Sequence, residues 1–195
     1  LYRVWTKVRR PYLQASENQH CGSWDAATKG NSALRAALLS LFHDEVGNYS
    51  SEEVGALLVD MEKFYDHVDL ARLMAKAEAT EYPPILMALG MQMHMAQREL
   101  KCYSSFPGKS LPRNGIIAGC TQSTTFAKIL LGDLMAYMQQ KYCTKQWGYD
   151  RHLRTFVDDL RCSVRDRGIA KVGQVLTDIG TELVDQLQQL GCIIS

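Results

Sequence analysis

The sequence predicts an α+β fold in which several helices pack over one small sheet. Hydrophobic residues make up 46% and charged residues 22% of the 195 residues, which is the composition of a globular chain. Short apolar runs at 54–59, 153–157 and 160–164 have the length and the flanking turn residues of strands. Longer segments with apolar residues three and four apart predict the helices between them. Because strands and helices alternate without repeats, helices that cover one sheet are expected.

The first fifty residues are predicted to contain two helices. Residues 1–10 form a short basic amphipathic pattern that Pro11 is expected to end, and the polar stretch 14–31 is typical of a loop. Ser32 is a candidate N-cap of the second helix, because its hydroxyl can accept a hydrogen bond from an amide of the first turn. The residues of this helix that we expect to be buried are Leu34, Ala37, Leu38, Leu41 and Phe42.

The next part of the chain is predicted to form a strand and two helices. The run 54–59 suits a buried strand that ends at Asp60. A second, methionine-rich helix is predicted over 85–100, and its four methionines are interpreted as core filler. His94 is interpreted as a packed or rim histidine, because no second metal ligand lies four residues away. The expected buried stripe of the helix before it is Leu70, Leu73, Met74 and Ala77.

The second half of the chain is predicted to contain a hairpin between two long helices. Residues 101–114 are expected to form a loop or hairpin before the first of these helices. Asp158 and Asp159 lie between two short apolar runs, which is the pattern of a β-hairpin with carboxylates at its tip. The run 192–194 is predicted to begin another strand. The expected buried residues of the two helices are Phe126, Ile129, Leu130, Leu134, Tyr137 and Met138, then Val172, Val175, Leu176, Ile179, Leu183, Leu187 and Leu190.

Composition and charge exclude several classes of protein. The net charge is +1, from 22 Lys and Arg against 21 Asp and Glu, so total charge does not indicate a nucleic-acid binder. The six cysteines form no CxxC pair, which argues against a zinc module or disulfide framework and favours an intracellular protein. No run of about 18 apolar residues exists, so no membrane association is expected. The chain begins without methionine and ends inside an apolar run, so we expect it to be part of a longer protein.

Three carboxylates lie at the ends of predicted strands. Asp60 follows one strand, and Asp158 and Asp159 lie at the hairpin turn. Two adjacent aspartates could serve only to satisfy the hydrogen bonds of a turn. Carboxylates that converge from two strands repel each other, however, and this favours Mg²⁺, which combines such ligands with phosphate groups. Two ions about 3.5–4 Å apart could then assist the attacking and leaving oxygens of a phosphoryl transfer.

The segments around these carboxylates resemble, in order, motifs A, B and C of reverse transcriptases, which are RNA-directed DNA polymerases. The closest resemblance is to enzymes of non-LTR retroelements and group II introns, whose motifs read DxxKAFD, GxxQG(C/S)xxSP and aromatic-x-Asp-Asp. Flanking residues near both ends of the chain are similar to the family as well. The motif segments are Val59-Asp60-Met61-Glu62-Lys63-Phe64-Tyr65-Asp66, Gly115 to Ser123, and Phe156-Val157-Asp158-Asp159.

The resemblance implies roles for individual residues. Asp60 and Asp158 would bind metal together with the backbone carbonyl of Met61, and Asp159 would be the second carboxylate of motif C. The implied cofactor is Mg²⁺, as two ions, with Mn²⁺ able to replace it. Tyr65 would stack beneath the sugar and select deoxynucleotides. The implied substrate-binding loop contains Ala118, Gly119 and Gln122, and Gly119 would let the backbone approach the template or incoming base.

The resemblance also implies an architecture and a reaction. Residues 1–50 would be part of the fingers, and residues 51–195 would be the polymerase palm, truncated before or at motif D. The palm would be a ferredoxin-like antiparallel sheet with helices packed on one face. Its implied activity is transfer of a dNTP onto a primer 3′-hydroxyl, with an RNA template and a DNA primer as partners, in a protein of retroelement origin.

Arginines are concentrated around the predicted hairpin. We expect Arg151, Arg154 and Arg161 to contact the nucleic-acid backbone, since neutralising phosphates is the usual basis of such binding. The alternative is that the arginines of this segment form ion pairs with its own acidic residues. The acidic residues concerned are Asp150, Asp158, Asp159 and Asp166.

Two other functions are kept as alternatives. Ala118 stands where the family has Gln, and Thr124 where it has Pro, which favours a catalytically decayed domain that binds nucleic acid or protein. A nucleotide cyclase also carries metal-binding aspartates at strand ends, although its Gly-Gly-acidic hairpin is absent from this sequence.

Overall fold

A computed structural model describes residues 2–99, 108–143 and 150–195. The chain divides into two compact units, one of residues 1–20 and 63–130, the other of residues 21–62 and 131–195. Residues 101–107, half of the loop or hairpin predicted over 101–114, lie outside the described residues. The division into fingers over 1–50 and palm over 51–195 follows the sequence motifs and stays a prediction.

Helices and strands follow one another along both units. None of the helices in the described ranges is long and apolar enough to cross a membrane. The elements are α1 (Tyr2–His20), α2 (Ala33–Tyr49), β1 (Glu53–Val59), α3 (Phe64–His67), α4 (Leu70–Ala79), α5 (Pro84–His94), β2 (Arg98–Glu99), β3 (Lys109–Ser110), α6 (Ser123–Tyr142), β4 (Asp150–Phe156), β5 (Asp159–Asp166) and α7 (Ile169–Gln189).

Helix α1 continues through Pro11 to His20, so the prediction that it ends at Pro11 and gives way to a loop at 14 is wrong. A proline inside a helix costs about 3 kcal/mol. Contacts on both sides of Pro11 offset that cost, because Thr6 and Leu13 are both buried. On the last turn of α1, Glu17 accepts a hydrogen bond of 2.5 Å from the Thr125 hydroxyl. Packing within the unit therefore decides the length of this helix.

Helix α2 starts as predicted but buries the opposite face. The Ser32 hydroxyl accepts a hydrogen bond of 3.1 Å from the amide of Arg35, which confirms the N-cap. The predicted buried residues are exposed, however, with Leu34 at 70% and Phe42 at 67% exposure. The buried residues of α2 are Ser40, His43 and Gly47.

Helix α5 ends at His94 rather than at residue 100. Residues 98–99 instead pair with 109–110 as the short antiparallel strands β2 and β3. Only half of the methionines behave as core filler, because Met87 and Met91 are buried whereas Met93 and Met95 are exposed. The helix thus buries one face, and the two exposed methionines lie on the last turn or beyond it.

The second unit contains a three-stranded antiparallel sheet with the strand order β1-β5-β4. β4 and β5 form the predicted hairpin, and only Val157 and Asp158 lie between Phe156 and its partner Asp159. A bridge between Asp25 and Thr155 extends the sheet beyond β4. A second bridge joins Met61 to Ile194, as expected for a strand beginning near 192.

Helices cover both faces of this sheet, so the predicted covering of one face is wrong. A Cβ placed on Gly55 would lie 2.6 Å from side-chain atoms of Val172 and Leu176, which puts α7 against that face. A Cβ on Gly47 of α2 would lie 2.5 Å from the Val54 side chain. Because neighbouring residues of a strand point to opposite faces, α2 lies on the other side of the sheet from α7.

The predicted apolar stripes of the later helices are largely confirmed. In the first unit, Leu73 of α4 and Phe126 of α6 are fully buried. In the second unit, α7 buries Ile179, Leu183 and Leu187. Met74 of α4 and Tyr137 of α6 depart from their predictions because both are exposed.

Candidate active site

The hairpin and β1 end together at a cluster of carboxylates in the second unit. The ladder between β1 and β5 ends with Val59 opposite Leu160. The next residue on each strand is an aspartate, Asp60 after Val59 and Asp159 before Leu160. Side chains at facing positions of such a ladder have Cβ atoms about 4.5–5.5 Å apart. The register therefore brings carboxylates from two strands to the same end of the sheet, with Asp158 in the adjoining turn.

The turn that carries Asp158 has an unusual backbone. Val157 has φ of 63°, in the left-handed region. A branched side chain is rare there because its Cβ crowds the neighbouring carbonyl, and such strain costs on the order of 1–3 kcal/mol. Two-residue hairpin turns need this geometry for their first residue, and glycine or asparagine is its usual occupant. The strained Val157 thus accompanies the tight turn that presents Asp158.

Electrostatics within the cluster favour neutralisation of Asp158. Partial burial raises the pKa of Asp158, and the charges of Asp159 and Asp60 raise it further, although a hydrogen bond from its own backbone amide acts in the opposite direction. The charge of Asp60 thus acts on Asp158, the carboxylate with which it is predicted to share a metal. A bound cation would relieve this repulsion.

Asp60 and Met61 are held by the segment 193–195. The Ser195 hydroxyl donates to the Asp60 carboxylate at 3.1 Å, and the Ser195 amide donates to the Asp60 carbonyl at 3.2 Å. The Glu62 amide donates to the carbonyl of Ile193 at 2.8 Å. Because Met61 is buried, bridges Ile194 and lies in the chain between the bonded Asp60 and Glu62, the backbone that carries its carbonyl is fixed.

The donor set fits Mg²⁺ in one specific way. Among the described residues, no group of three His, Cys, Asp or Glu side chains is arranged to hold a metal ion. The predicted ligands are two carboxylates and a backbone carbonyl. Mg²⁺ commonly binds one or two protein carboxylates and takes its remaining ligands from water and substrate phosphates. The cluster therefore suits an ion that is bound together with a phosphate substrate.

Two of the three predicted nucleic-acid arginines lie on the sheet face beneath α2. Arg161 and Arg154 are paired across β5 and β4. Arg161 forms an ion pair of 2.5 Å with Asp44, and Arg154 donates to the carbonyl of Ala36 at 3.1 Å. These partners lie on α2, so the alternative of pairing with the segment's own aspartates is not what the structure shows for these two residues.

Arg151 lies apart from that pair, because successive residues of a strand point to opposite faces and Arg151 is three positions from Arg154 on β4. Its guanidinium donates to the carbonyl of Tyr142 at the end of α6 at 3.3 Å. Its contact with nucleic acid stays a prediction.

Some of the arginines and carboxylates line one cleft of about 550 Å³ within the second unit, which Arg151 and Asp158 do not line. Asp60 and Asp159 lie on its wall, as do Arg154 and Arg161. Burial and the neighbouring Arg161 lower the pKa of Arg154, whereas Asp44 raises it. The charged lining is Arg154 and Arg161 against Asp44, Asp60 and Asp159. Positive charge is therefore in excess only in the part beneath α2, where two guanidinium groups are near the single carboxylate of Asp44 and a phosphate could neutralise the remainder. The other residues that line the cleft are mostly apolar and include Ala33, Ala37, Leu41, Leu58 and Phe156.

The loop that resembles motif B lies in the first unit, together with Tyr65. Three successive amides fix its beginning. The Gly115 amide donates to the carbonyl of Val68 at 2.8 Å, and the Ile116 amide donates to the carbonyl of Tyr65 at 2.7 Å. The Ile117 amide donates to Nδ1 of His94 at 2.9 Å. The loop is thus attached to the segment that carries Tyr65.

The predicted residues of this loop fall into two groups. Ala118 and Gly119 are exposed, and Gly119 has φ of 77°, which favours glycine. Gln122 is fully buried, and its amide donates to the carbonyl of Leu86 at 3.4 Å. A contact between Gln122 and a substrate would require the side chain to leave this buried position, and it stays a prediction. Tyr65 is half-buried beside Phe64.

Two features of the site were not predicted from the sequence. Asp44 of α2 was not expected near the hairpin arginines, because it is far from them along the chain. His94 was expected to be packed, and it is fully buried, but its hydrogen bond to the loop had no local signal. A histidine followed by a Gly-rich loop some twenty residues later has no recognisable spacing.

Comparison with protein-family models and with curated proteins finds no match. Among solved structures, the chain is similar to apo telomerase from Candida tropicalis, with a TM-score of 0.68 and 14% identity over 97% of this chain and 35% of that one. It is similar to Candida tropicalis telomerase in complex with a TWJ fragment of telomeric RNA, with a TM-score of 0.64 and 14% identity over 97% of this chain and 32% of that one. The telomerase of Candida albicans gives a TM-score of 0.55 at 13% identity, over 96% of this chain and 33% of that one. The chain spans about a third of the length of these structures and shares their fold.

Proposed function

We propose that this chain is the palm and part of the fingers of a reverse transcriptase, and that it transfers deoxynucleotides onto a primer 3′-hydroxyl with an RNA template. The observation that carries the proposal is the register of the sheet. It puts Asp60 and Asp159 at the same end of the sheet, with Asp158 in the adjoining turn. The likeness in fold to telomerases, which are reverse transcriptases, supports the same class of enzyme. The retroelement origin is proposed on the sequence motifs alone.

The residues of the second unit would have distinct roles in metal binding and in positioning the primer. Asp60, Asp158 and the Met61 carbonyl would hold two Mg²⁺ ions, and Asp159 would lie near the primer end. Bound there, Mg²⁺ would stabilise the charge that develops on the phosphate and lower the pKa of the primer hydroxyl. Ser195 and the buried Met61 fix the backbone at Asp60, so little reorganisation of that ligand is needed.

The cleft wall beneath α2 would receive phosphate groups. Arg154 and Arg161 are close enough to influence each other electrostatically, and Asp44 neutralises only part of their charge. Contacts of this kind weaken as salt rises, because counterions compete for the phosphates. Tyr65, in the first unit, would select deoxynucleotides by the family resemblance.

The substitution Asp158→Asn tests the proposal, with primer extension and metal binding as separate measurements. In the longer protein to which this chain is expected to belong, an RNA template, a DNA primer and dNTPs with Mg²⁺ are expected to give an extended primer, whereas the 195-residue chain alone is not required to be active. Asp158→Asn is expected to abolish extension. It is also expected to raise the melting temperature in the absence of metal, since it removes one of the repelling charges, and to reduce the further rise on adding Mg²⁺.

Asp178→Asn is the matched control. Asp178 is exposed on α7, where it accepts a hydrogen bond from Gln174 at 2.8 Å, so its loss is expected to leave both measurements unchanged. Extension that survives Asp158→Asn would refute the proposed catalytic role. A full-length wild-type protein that binds template and primer without extending them would favour the catalytically decayed alternative.

A further inference from the structure

We propose that His94 is a positioning residue for the loop 115–122, which it holds in place as a neutral hydrogen-bond acceptor for Ile117. The inference rests on the proposed function, because that loop is the implied nucleotide and template contact. His94 itself lies at the end of α5 and outside all three motifs. Its role is therefore to fix the substrate-binding loop rather than to touch substrate.

Ile117 is held at both its amide and its carbonyl. Nδ1 of His94 accepts its amide hydrogen at 2.9 Å. Its carbonyl accepts the Ser123 hydroxyl at 2.6 Å and the Cys120 amide at 3.1 Å. The two residues that follow Ile117 are the exposed Ala118 and Gly119. Ile117 is thus the last residue anchored to another element before the part of the loop that faces outward.

The His94 ring can accept this bond in only one protonation state. A neutral imidazole that accepts at Nδ1 carries its proton on Nε2, whereas an imidazolium has no acceptor and would direct a second N–H at the Ile117 amide. The ring is fully buried and packs edge-on against Phe126, with ring centroids 5.4 Å apart. Among the described residues, Nε2 is buried and has no hydrogen-bond partner.

The surroundings keep His94 neutral at physiological pH. Burial, with a smaller contribution from Arg98, lowers the pKa of His94 from 6.5 to about 4. The Arg98 guanidinium also donates to the His94 carbonyl at 3.3 Å, so this positive charge is fixed close to the ring. Both effects preserve the acceptor at Nδ1.

Two variants separate the hydrogen bond from simple packing. His94→Asn retains an acceptor near the position of Nδ1, whereas His94→Leu fills the space without one. Leu73→Ala, at a fully buried position of α4, is the control for lost stability in the same unit. In hydrogen exchange of the complete 195-residue chain, His94→Leu is expected to speed exchange at Ile117 by about 3- to 10-fold. His94→Asn is expected to restore most of the protection of the Ile117 amide against exchange. Leu73→Ala is expected to speed exchange throughout the first unit, with no larger effect at Ile117 than elsewhere.

Nitrogen NMR of the wild-type ring gives a result that needs no variant. We expect a neutral imidazole protonated at Nε2 at pH 7, and an imidazolium or a proton on Nδ1 would overturn the proposal. Equal exchange at Ile117 in the wild type and in His94→Leu would overturn it as well. In primer extension, His94→Leu is expected to raise KM for dNTP more than it lowers kcat, with partial rescue by His94→Asn, and unchanged kinetics would refute the link to substrate. Absence of primer extension by the wild type counts against the proposed function only, because hydrogen exchange and NMR test the contact between His94 and Ile117 independently.

Discussion

Replacing Gly115 by alanine is expected to destabilise the first unit through two separable effects. Gly115 has φ of 90°, a conformation that L-residues rarely adopt. An alanine there costs about 1–2 kcal/mol from its backbone alone. Its Cβ would also lie 2.8 Å from the carbonyl oxygen of Asp66 and 3.1 Å from that of Tyr65. Both are backbone atoms that cannot rotate away, so overpacking adds about 1–3 kcal/mol.

The sum, about 2–5 kcal/mol, is a large part of the 5–15 kcal/mol that stabilises an ordinary domain. At about 2–4 °C per kcal/mol for a chain of this size, the melting temperature of Gly115→Ala is expected to fall by at least about 4 °C. Thermal unfolding followed by circular dichroism measures this shift. Chemical unfolding in urea gives the free energy independently.

Gly119→Ala is the matched comparison, because Gly119 has φ of 77° but a Cβ there would meet no atom within 4 Å. It should show the backbone cost alone, so the difference between the two variants isolates the contact with Asp66 and Tyr65. Gly115→Ala with the stability of the wild type, or Gly119→Ala with an equal loss, would refute this reasoning.

Three further predictions concern the second unit. Val157→Asn is expected to raise the free energy of unfolding by about 1 kcal/mol, because asparagine tolerates the left-handed conformation. If urea unfolding gives this variant a lower free energy of unfolding than the wild type, Val157 is not strained. Burial alone would raise the pKa of Glu182, but hydrogen bonds from Lys141 and two tyrosines lower it to about 2. Glu182→Gln should therefore lower the melting temperature by about 1–4 °C at pH 7 and by less near pH 2, where about half of the wild-type carboxylate is protonated. Burial, followed by the charges of His152 and Arg165, lowers the pKa of His43 to about 4. The free energy of unfolding should therefore fall as the pH drops from 6.5 towards 4, because the unfolded chain binds the proton more readily than the folded chain. The variant His43→Gln should reduce this dependence on pH.

Local patterns in the sequence were sufficient for most of the fold. The strand before Asp60, the hairpin around Asp158 and the long helix α7 were predicted correctly, because each depends on residues that are neighbours in the chain. The placement of carboxylates at strand ends followed from the same local signals. The motifs themselves carried the resemblance from which the metal and substrate roles are proposed.

Long-range packing decided what the sequence could not. The burial of the polar face of α2 depends on the arginines of β4 and β5, which lie more than a hundred residues further along the chain. Likewise, the bond from Ile117 to His94 joins residues that no periodicity connects.

The sequence by itself determined where the strands of the main sheet and most helices form and which carboxylates follow the strands, since hydrophobic periodicity and turn residues act over short distances; it did not determine where α1 and α5 end. Only the tertiary structure decided that β1, which Asp60 follows, pairs with β5, which begins at Asp159. It also decided that Asp44 forms an ion pair with Arg161. The physical reason is that strand register and charge pairing are minima of the whole assembly of elements. They depend on which surfaces meet, and no single segment contains that information.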